Sequence, residues 1–170
     1  MTLTTHAIVG AAVAQLFPEH PFLAFSAAFL SHLTIDSLPH WDYDPKSMSK
    51  DSADPLATDM KIGPQFFIDL CVIGGDAILG VVLSVVMFSF WLFHAPVPIV
   101  LIGAMAGQLP DLLQFVYFKT HSILLEPLQR SHKFVQKGKS LHIPAMRGIG
   151  LQAALVSLIL IIESFLLRLP

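Results

Sequence analysis

Residues 64–94 carry no Lys, Arg or Glu, and only two Asp, Asp69 and Asp76. A helix of roughly 20 apolar residues crosses the hydrocarbon core of a bilayer, and this run is longer than that. Four more apolar runs accompany it, at residues 3–17, 21–38, 98–118 and 144–168. Pro21, Pro64, Pro98 and Pro144 open the second to fifth runs, while Pro18 and Pro39 close the first and second. Proline is tolerated in the first turn of a helix, where its missing N–H has no partner to lose, so these openings read as helix starts. The third, fourth and fifth runs are long enough to span. The second is marginal. The first is short, so it would tilt little, thin the bilayer, or form a re-entrant hairpin with the second. Composition agrees. The chain is 54% hydrophobic and 13% charged, with a mean hydropathy of +0.68, where soluble domains hold about a quarter charged residues. The expected fold class is an all-α integral membrane protein. It is read as a single helical membrane domain over residues 1–170, with about five apolar helices, the first two short.

Two polar linkers separate the runs. Residues 39–63 are acidic and rich in Ser, Asp and Pro, which reads as a solvated loop. Residues 119–143 are basic, and their "SILLEPLQ" stretch fits a short interfacial helix. With five spans, the N-terminus and both linkers share one side. Nine of the ten Lys and Arg then lie on that side, and Arg168 alone lies on the other. The positive-inside rule makes the shared side cytoplasmic, in a bacterial or archaeal cytoplasmic membrane. The start "MTLTTHAIVG" has no Lys or Arg ahead of its apolar stretch, so it lacks the charged region of a cleavable signal and is expected to belong to the fold. A net charge of −2 and the absence of a basic tail favour no nucleic-acid partner. The single Cys71 lies within an apolar run and offers no disulfide framework.

On this map the polar residues of the apolar runs collect at one level. His6 starts the first run, and His32 and Asp36 end the second. Those two are four apart and share a helix face. Asp69 and Asp76 lie in the cytoplasmic half of the third run. Asp111 lies about two turns from the cytoplasmic end of the fourth, roughly 10 Å at helical rise. His132 sits in the basic linker. His40 and Asp42 follow the second run directly, with Trp41 and Tyr43 as interface anchors. Imidazole with carboxylate is a ligand set for zinc, manganese or iron, and extra carboxylates can bridge a second ion. A bound divalent ion would also explain how acids sit at membrane depth, where unpaired charge is costly. Structural readings stand beside the chemical ones. His32 with Asp36 could tie helices together, Asp111 after "LP" could cap a broken helix, Asp76 after "GG" could sit at a close helix contact, and Asp69 could be solvated. His20, His94, His121 and His142 read as structural or exposed.

The stretches "TTHAIVGAAVA", "FLSHLTIDSLPH", "GQLPDLLQF" and "RSHKF" resemble motifs of the membrane-bound metal-dependent hydrolases, also called LexA-binding, inner-membrane-associated hydrolases. That family begins with a histidine on a first apolar helix, which His6 matches. Its "LSHxxxD" element is matched by Ser31, His32 and Asp36. Its "LPDxDHP" element is matched in part by Leu109, Pro110 and Asp111, and "DSLPHWD" offers an alternative partial match at Asp36, His40 and Asp42. A weaker likeness links His6 and the spaced "HxxxD" to zinc-dependent phospholipase C. The resemblance implies a metal-dependent hydrolase at the cytoplasmic membrane face. The expected metal ligands are His6, His32, Asp36, Asp111 and His40. Asp76 is expected as a ligand or general base, and His132 as an outer ligand or general acid. Zinc is the expected ion, with manganese or iron as alternatives. Lipid is the expected partner, with an anionic or phosphorylated group gathered by Lys133, Lys137, Lys139 and Arg147. Two other classes remain open: a metal-ion or proton transporter, since intramembrane acids mark ion pathways, and a non-enzymatic membrane scaffold.

Overall fold

The computed structural model describes residues 1–49, 56–136 and 143–166. Lys50, Lys137, Lys139, His142 and Arg168 lie outside the described residues. Among those described, the regular elements are helices apart from one short hairpin. They are α1 (Leu3–Gln15), α2 (Pro21–Asp36), β1 (Met48–Ser49), β2 (Asp59–Met60), α3 (Pro64–Ser84), α4 (Val97–Thr120), α5 (Glu126–Gln136) and α6 (Ala145–Leu166). A π-helical stretch, Val85–Trp91, continues α3. Three helices are long and apolar enough to cross a membrane: α3 with its extension, α4 and α6.

Local chemistry accounts for the ends. Thr2 caps α1, its side chain accepting from the Thr5 N–H. Prolines stand in the first turns of α2, α3 and α4. His121 ends α4 in the left-handed region at φ 46°, its N–H returning to the Tyr117 carbonyl. The helix does not break at Pro110. It runs through that residue, so Asp111 is an interior helical residue rather than a cap. The acidic linker is not wholly irregular either. Met48 pairs with Met60 and Ser49 with Asp59, and Lys119 Nζ ties the hairpin to α4 through Asp59 Oδ1 at 2.7 Å. That lysine, first by hydrogen bond, holds the Asp59 carboxyl below the usual carboxylate range. In the basic linker the helix covers Glu126–Gln136, later than "SILLEPLQ". Pro127 stands in its first turn, and inward Gln129 and His132 set its buried face.

The shortest of the apolar helices, α1, is the centre of the bundle. Eleven of its 13 residues are buried, among them Ala7, Ala11 and Ala14. A helix packed on all sides needs no polar face, which is why residues 7–14 are apolar all round in a helix too short for a comfortable span. Its neighbours come very close. A Cβ on Gly107 of α4 would lie 2.3 Å from the His6 carbonyl oxygen, and one on Gly103 would lie 2.4 Å from Ala14 Cβ. Gly103 and Gly107 are four apart, the spacing that lets two helix backbones touch. Polar pairs pin α1 to α6 at both ends. Gln152 Oε1 accepts from the Thr2 N–H, Thr2 Oγ and Thr5 Oγ, and Gln15 Nε2 donates to Glu163.

Candidate metal centre

The start of α1, the end of α2, the middle of α4 and the inner face of α5 meet at one end of this bundle. His32 and Asp36 stand one turn apart on α2, Asp111 comes from α4 and His132 from α5. Each offers one ligand atom, and those four atoms all lie within 4.8 Å of one another. His32, His132 and Asp36 are at most 1% exposed, and Asp111 is 25% exposed. Of these four, Asp111 alone is part-exposed. These four residues could hold a metal ion.

Gly107 fixes the chemistry of His32. Its carbonyl lies 2.8 Å from His32 Nδ1. A carbonyl only accepts, so Nδ1 carries the proton, and a neutral His32 turns the lone pair of Nε2 into the cluster. That atom faces Asp36 Oδ2 at 3.6 Å and Asp111 Oδ1 at 3.5 Å. It also lies 3.5 Å from His132 Nε2, so the lone pair meets one ring N–H as well as the two carboxylates. His132 Nε2 lies 2.8 Å from Asp36 Oδ2 and 3.8 Å from Asp111 Oδ1. Gln136 Nε2 donates to Asp36 Oδ2 at 3.0 Å. Behind His132, its Nδ1 lies 3.3 Å from the Gln114 side-chain amide, which also meets Gln129. An amide nitrogen only donates, so His132 Nδ1 accepts and Nε2 carries the proton that it gives to Asp36 Oδ2. The ring must lose that proton before Nε2 can bind an ion.

His6 stacks on His32 with ring centroids 3.8 Å apart. It is fully buried, and its Nδ1 has no hydrogen-bond partner. Its Nε2 lies 3.1 Å from Asp36 Oδ1 and 4.0 Å from Asp111 Oδ2. His40 Nε2 lies 3.7 Å from Asp36 Oδ1, while its Nδ1 bonds the Leu38 carbonyl. Burial, then the nearby amino group of Met1, pushes the His40 imidazole below its ordinary pKa. The Met1 amino nitrogen lies 3.2 Å from Asp36 Oδ1 and 3.4 Å from Asp42 Oδ2. Burial works against its charge, but Asp42, Asp36 and Asp111 outweigh that and raise its pKa.

The structure brings five expected residues to this end around Asp36: His6, His32, His40, Asp111 and His132. His132 is placed as directly as His32, rather than as an outer group. Asp76 is not among them. Its carboxylate accepts from the Thr4 N–H at 2.9 Å and from Thr4 Oγ at 2.6 Å, at the start of α1. Tyr43, its pKa raised by burial and then by its hydrogen bond to Asp76, covers it. Asp76 therefore anchors α1 to α3, and the role of ligand or general base expected for it has no geometric footing. Asp69 likewise binds the Ser47 N–H at 2.7 Å and holds the acidic linker. The sequence reading missed Gln114, Gln129, Gln136 and Gln152. Gln114, Gln129 and Gln136 lie on α4 and α5, which also carry Asp111 and His132, while Gln152 lies on α6, which carries no ligand.

No protein-family model, curated protein or solved structure matches the chain.

Proposed function

We propose that the chain is an integral membrane protein that hydrolyses a phosphate ester carried on a lipid, with a divalent metal held by His32, Asp36, Asp111 and His132. The observation that carries this reading is the His32 lone pair, fixed by Gly107 and aimed at two carboxylates. Such an arrangement calls for a cation. Two imidazoles and two carboxylates suit zinc first, and manganese or iron as well. The ion would supply Lewis acidity toward a phosphoryl oxygen and lower the pKa of a water. The likeness of "LSHLTID" and "LPD" to the membrane-bound metal-dependent hydrolases points the same way.

The lipid substrate rests on depth. Exposed apolar side chains run along α3 from Phe67 to Trp91 and along α6 from Met146 to Phe165. The cluster lies level with Asp76 of α3 and Gln152 of α6, through their bonds to Thr4 and Thr5. That is about 9–14 Å inside the end of the apolar surface at helical rise. Acyl chains lie at that depth, and a lipid is the molecule whose body already occupies it. Substrate enters past Asp111, the exposed member of the four. Arg147, exposed at the start of α6, is placed to attract an anionic group at the cytoplasmic face. In this reading the N-terminus is cytoplasmic, and all five apolar helices lie in the membrane of a bacterium or archaeon.

Transport has less support. A transported ion needs polar groups along its path, and residues 7–14 of the central helix are apolar throughout. A purely scaffolding role accounts less well for two carboxylates gathered at the His32 lone pair.

The test is release of phosphate or headgroup from phospholipids and lipid phosphates in mixed micelles. Activity should need a divalent metal, and Asp36→Asn should lower it by about three orders of magnitude or more. Hydrolysis that persists in Asp36→Asn, or none by the wild type with any metal, contradicts the reading.

A further inference from the structure

The two carboxylates at the centre divide their oxygens between two sets of histidines. Asp36 turns Oδ2 to His132 and His32, at 2.8 and 3.6 Å, and Oδ1 to His6 and His40, at 3.1 and 3.7 Å. Asp111 does the same. Its Oδ1 faces His32 and His132 at 3.5 and 3.8 Å, and its Oδ2 faces His6 at 4.0 Å. A carboxylate serving one ion needs no second set of nitrogens behind its other oxygen. A carboxylate that bridges two ions does, and two-metal hydrolytic sites hold their ions about 3.5–4 Å apart.

His6 supplies the independent sign. It is fully buried and stacked on His32, with no hydrogen-bond partner at Nδ1 and with Nε2 turned to Asp36 Oδ1 at 3.1 Å. A buried ring nitrogen left unpaired costs about 1–3 kcal/mol, so the unpartnered Nδ1 weighs against a histidine placed there for packing alone, and Nε2 is turned to the carboxylate that would bridge. The same side already receives positive charge, because the Met1 amino group stands between Asp36 Oδ1 and Asp42 Oδ2.

We propose that Asp36 and Asp111 are bridging carboxylates, and that His6, His40 and Asp42 complete a second divalent-metal position beside the one held by His32 and His132. This deepens the metal-hydrolase reading and rests on it. The second ion would take the place that the Met1 amino group holds in the structure. Ligands from α1 and from the segment after α2 would then join those from α2, α4 and α5. The substrate class follows from such a pair: a phosphate ester, whose oxygens can be shared by two cations during in-line displacement.

The test is to load the detergent-purified full chain with manganese, remove free ion, and measure both manganese per chain and the electron paramagnetic resonance spectrum. Wild type should hold two ions with an exchange-coupled spectrum. His6→Leu should hold one, with an uncoupled spectrum, and should fold at least as well without metal. His40→Gln with Asp42→Asn should also lose the second ion. Both residues lie outside the helices, so that pair decides the matter if His6→Leu does not fold. One ion in wild type, unchanged in both variants, overturns the second position and leaves the first standing. No ion in wild type overturns the metal reading and this inference with it.

Discussion

At one end of α1, His6 lies among carboxylates and imidazoles from three other elements. At the other end, Gln15 meets a single acid, Glu163 of α6. Both ends bury polar groups deep among apolar helices. At the Glu163 end one donor answers one acceptor, and the remaining atoms, Gln15 Oε1 and Glu163 Oε2, simply have no partner. At the His6 end two carboxylates and two imidazoles, from Asp36, Asp111, His32 and His132, bring one ligand atom each within 4.8 Å of the others. Burying a polar group without its partner costs stability wherever it happens. Convergence of many such groups on one point distinguishes a ligand site from a helix clamp.

Two glycines sharpen that contrast. Gly107 packs beside His6 and gives its carbonyl to His32, while Gly103 packs one turn away against Ala14. Gly107→Ala and Gly103→Ala should each destabilise by about 1–3 kcal/mol through overpacking. Only Gly107→Ala should also weaken metal binding, by about 10–100-fold, because it displaces the carbonyl behind His32. Thermal melts with a metal titration on each variant check this. Equal metal affinity in both variants would break the distinction between the two ends.

The smallest effect belongs to the Glu163 end. Gln15→Leu leaves Glu163 buried without its donor and should cost about 1–3 kcal/mol. Gln15→Leu with Glu163→Leu should recover most of that loss, since well-packed apolar residues replace buried polar pairs at little cost. Neither variant should change metal content. Loss of metal in the double variant would mean that the two ends are coupled.

Much of this was legible in the sequence. The five apolar runs correspond to α1, α2, α3 with its π-helical extension, α4 and α6, because long apolar stretches and first-turn prolines are local signals. His32 and Asp36 could be paired because helical spacing fixes their common face. The role of α1 was not legible in the same way. Its shortness suggested a poor span, whereas its small residues let it sit at the centre of the bundle. The Gly103–Gly107 spacing in "GAMAG" was the available sign of that packing. Asp76 stood at the right depth but on the wrong partner, since depth along a helix says nothing of which neighbour a carboxylate meets. His132 depended on where α5 docks, and only tertiary packing decides that.

The central claim is that the convergent end of the bundle holds a divalent metal, and elemental analysis of the detergent-purified protein tests it most directly. Wild type should retain a transition metal through purification, and its melting temperature should fall on chelation and recover on adding zinc or manganese. His32→Ala should lose most of the metal, and Gln15→Leu should keep it. A metal-free wild-type protein whose melting is unmoved by zinc or manganese would contradict the account.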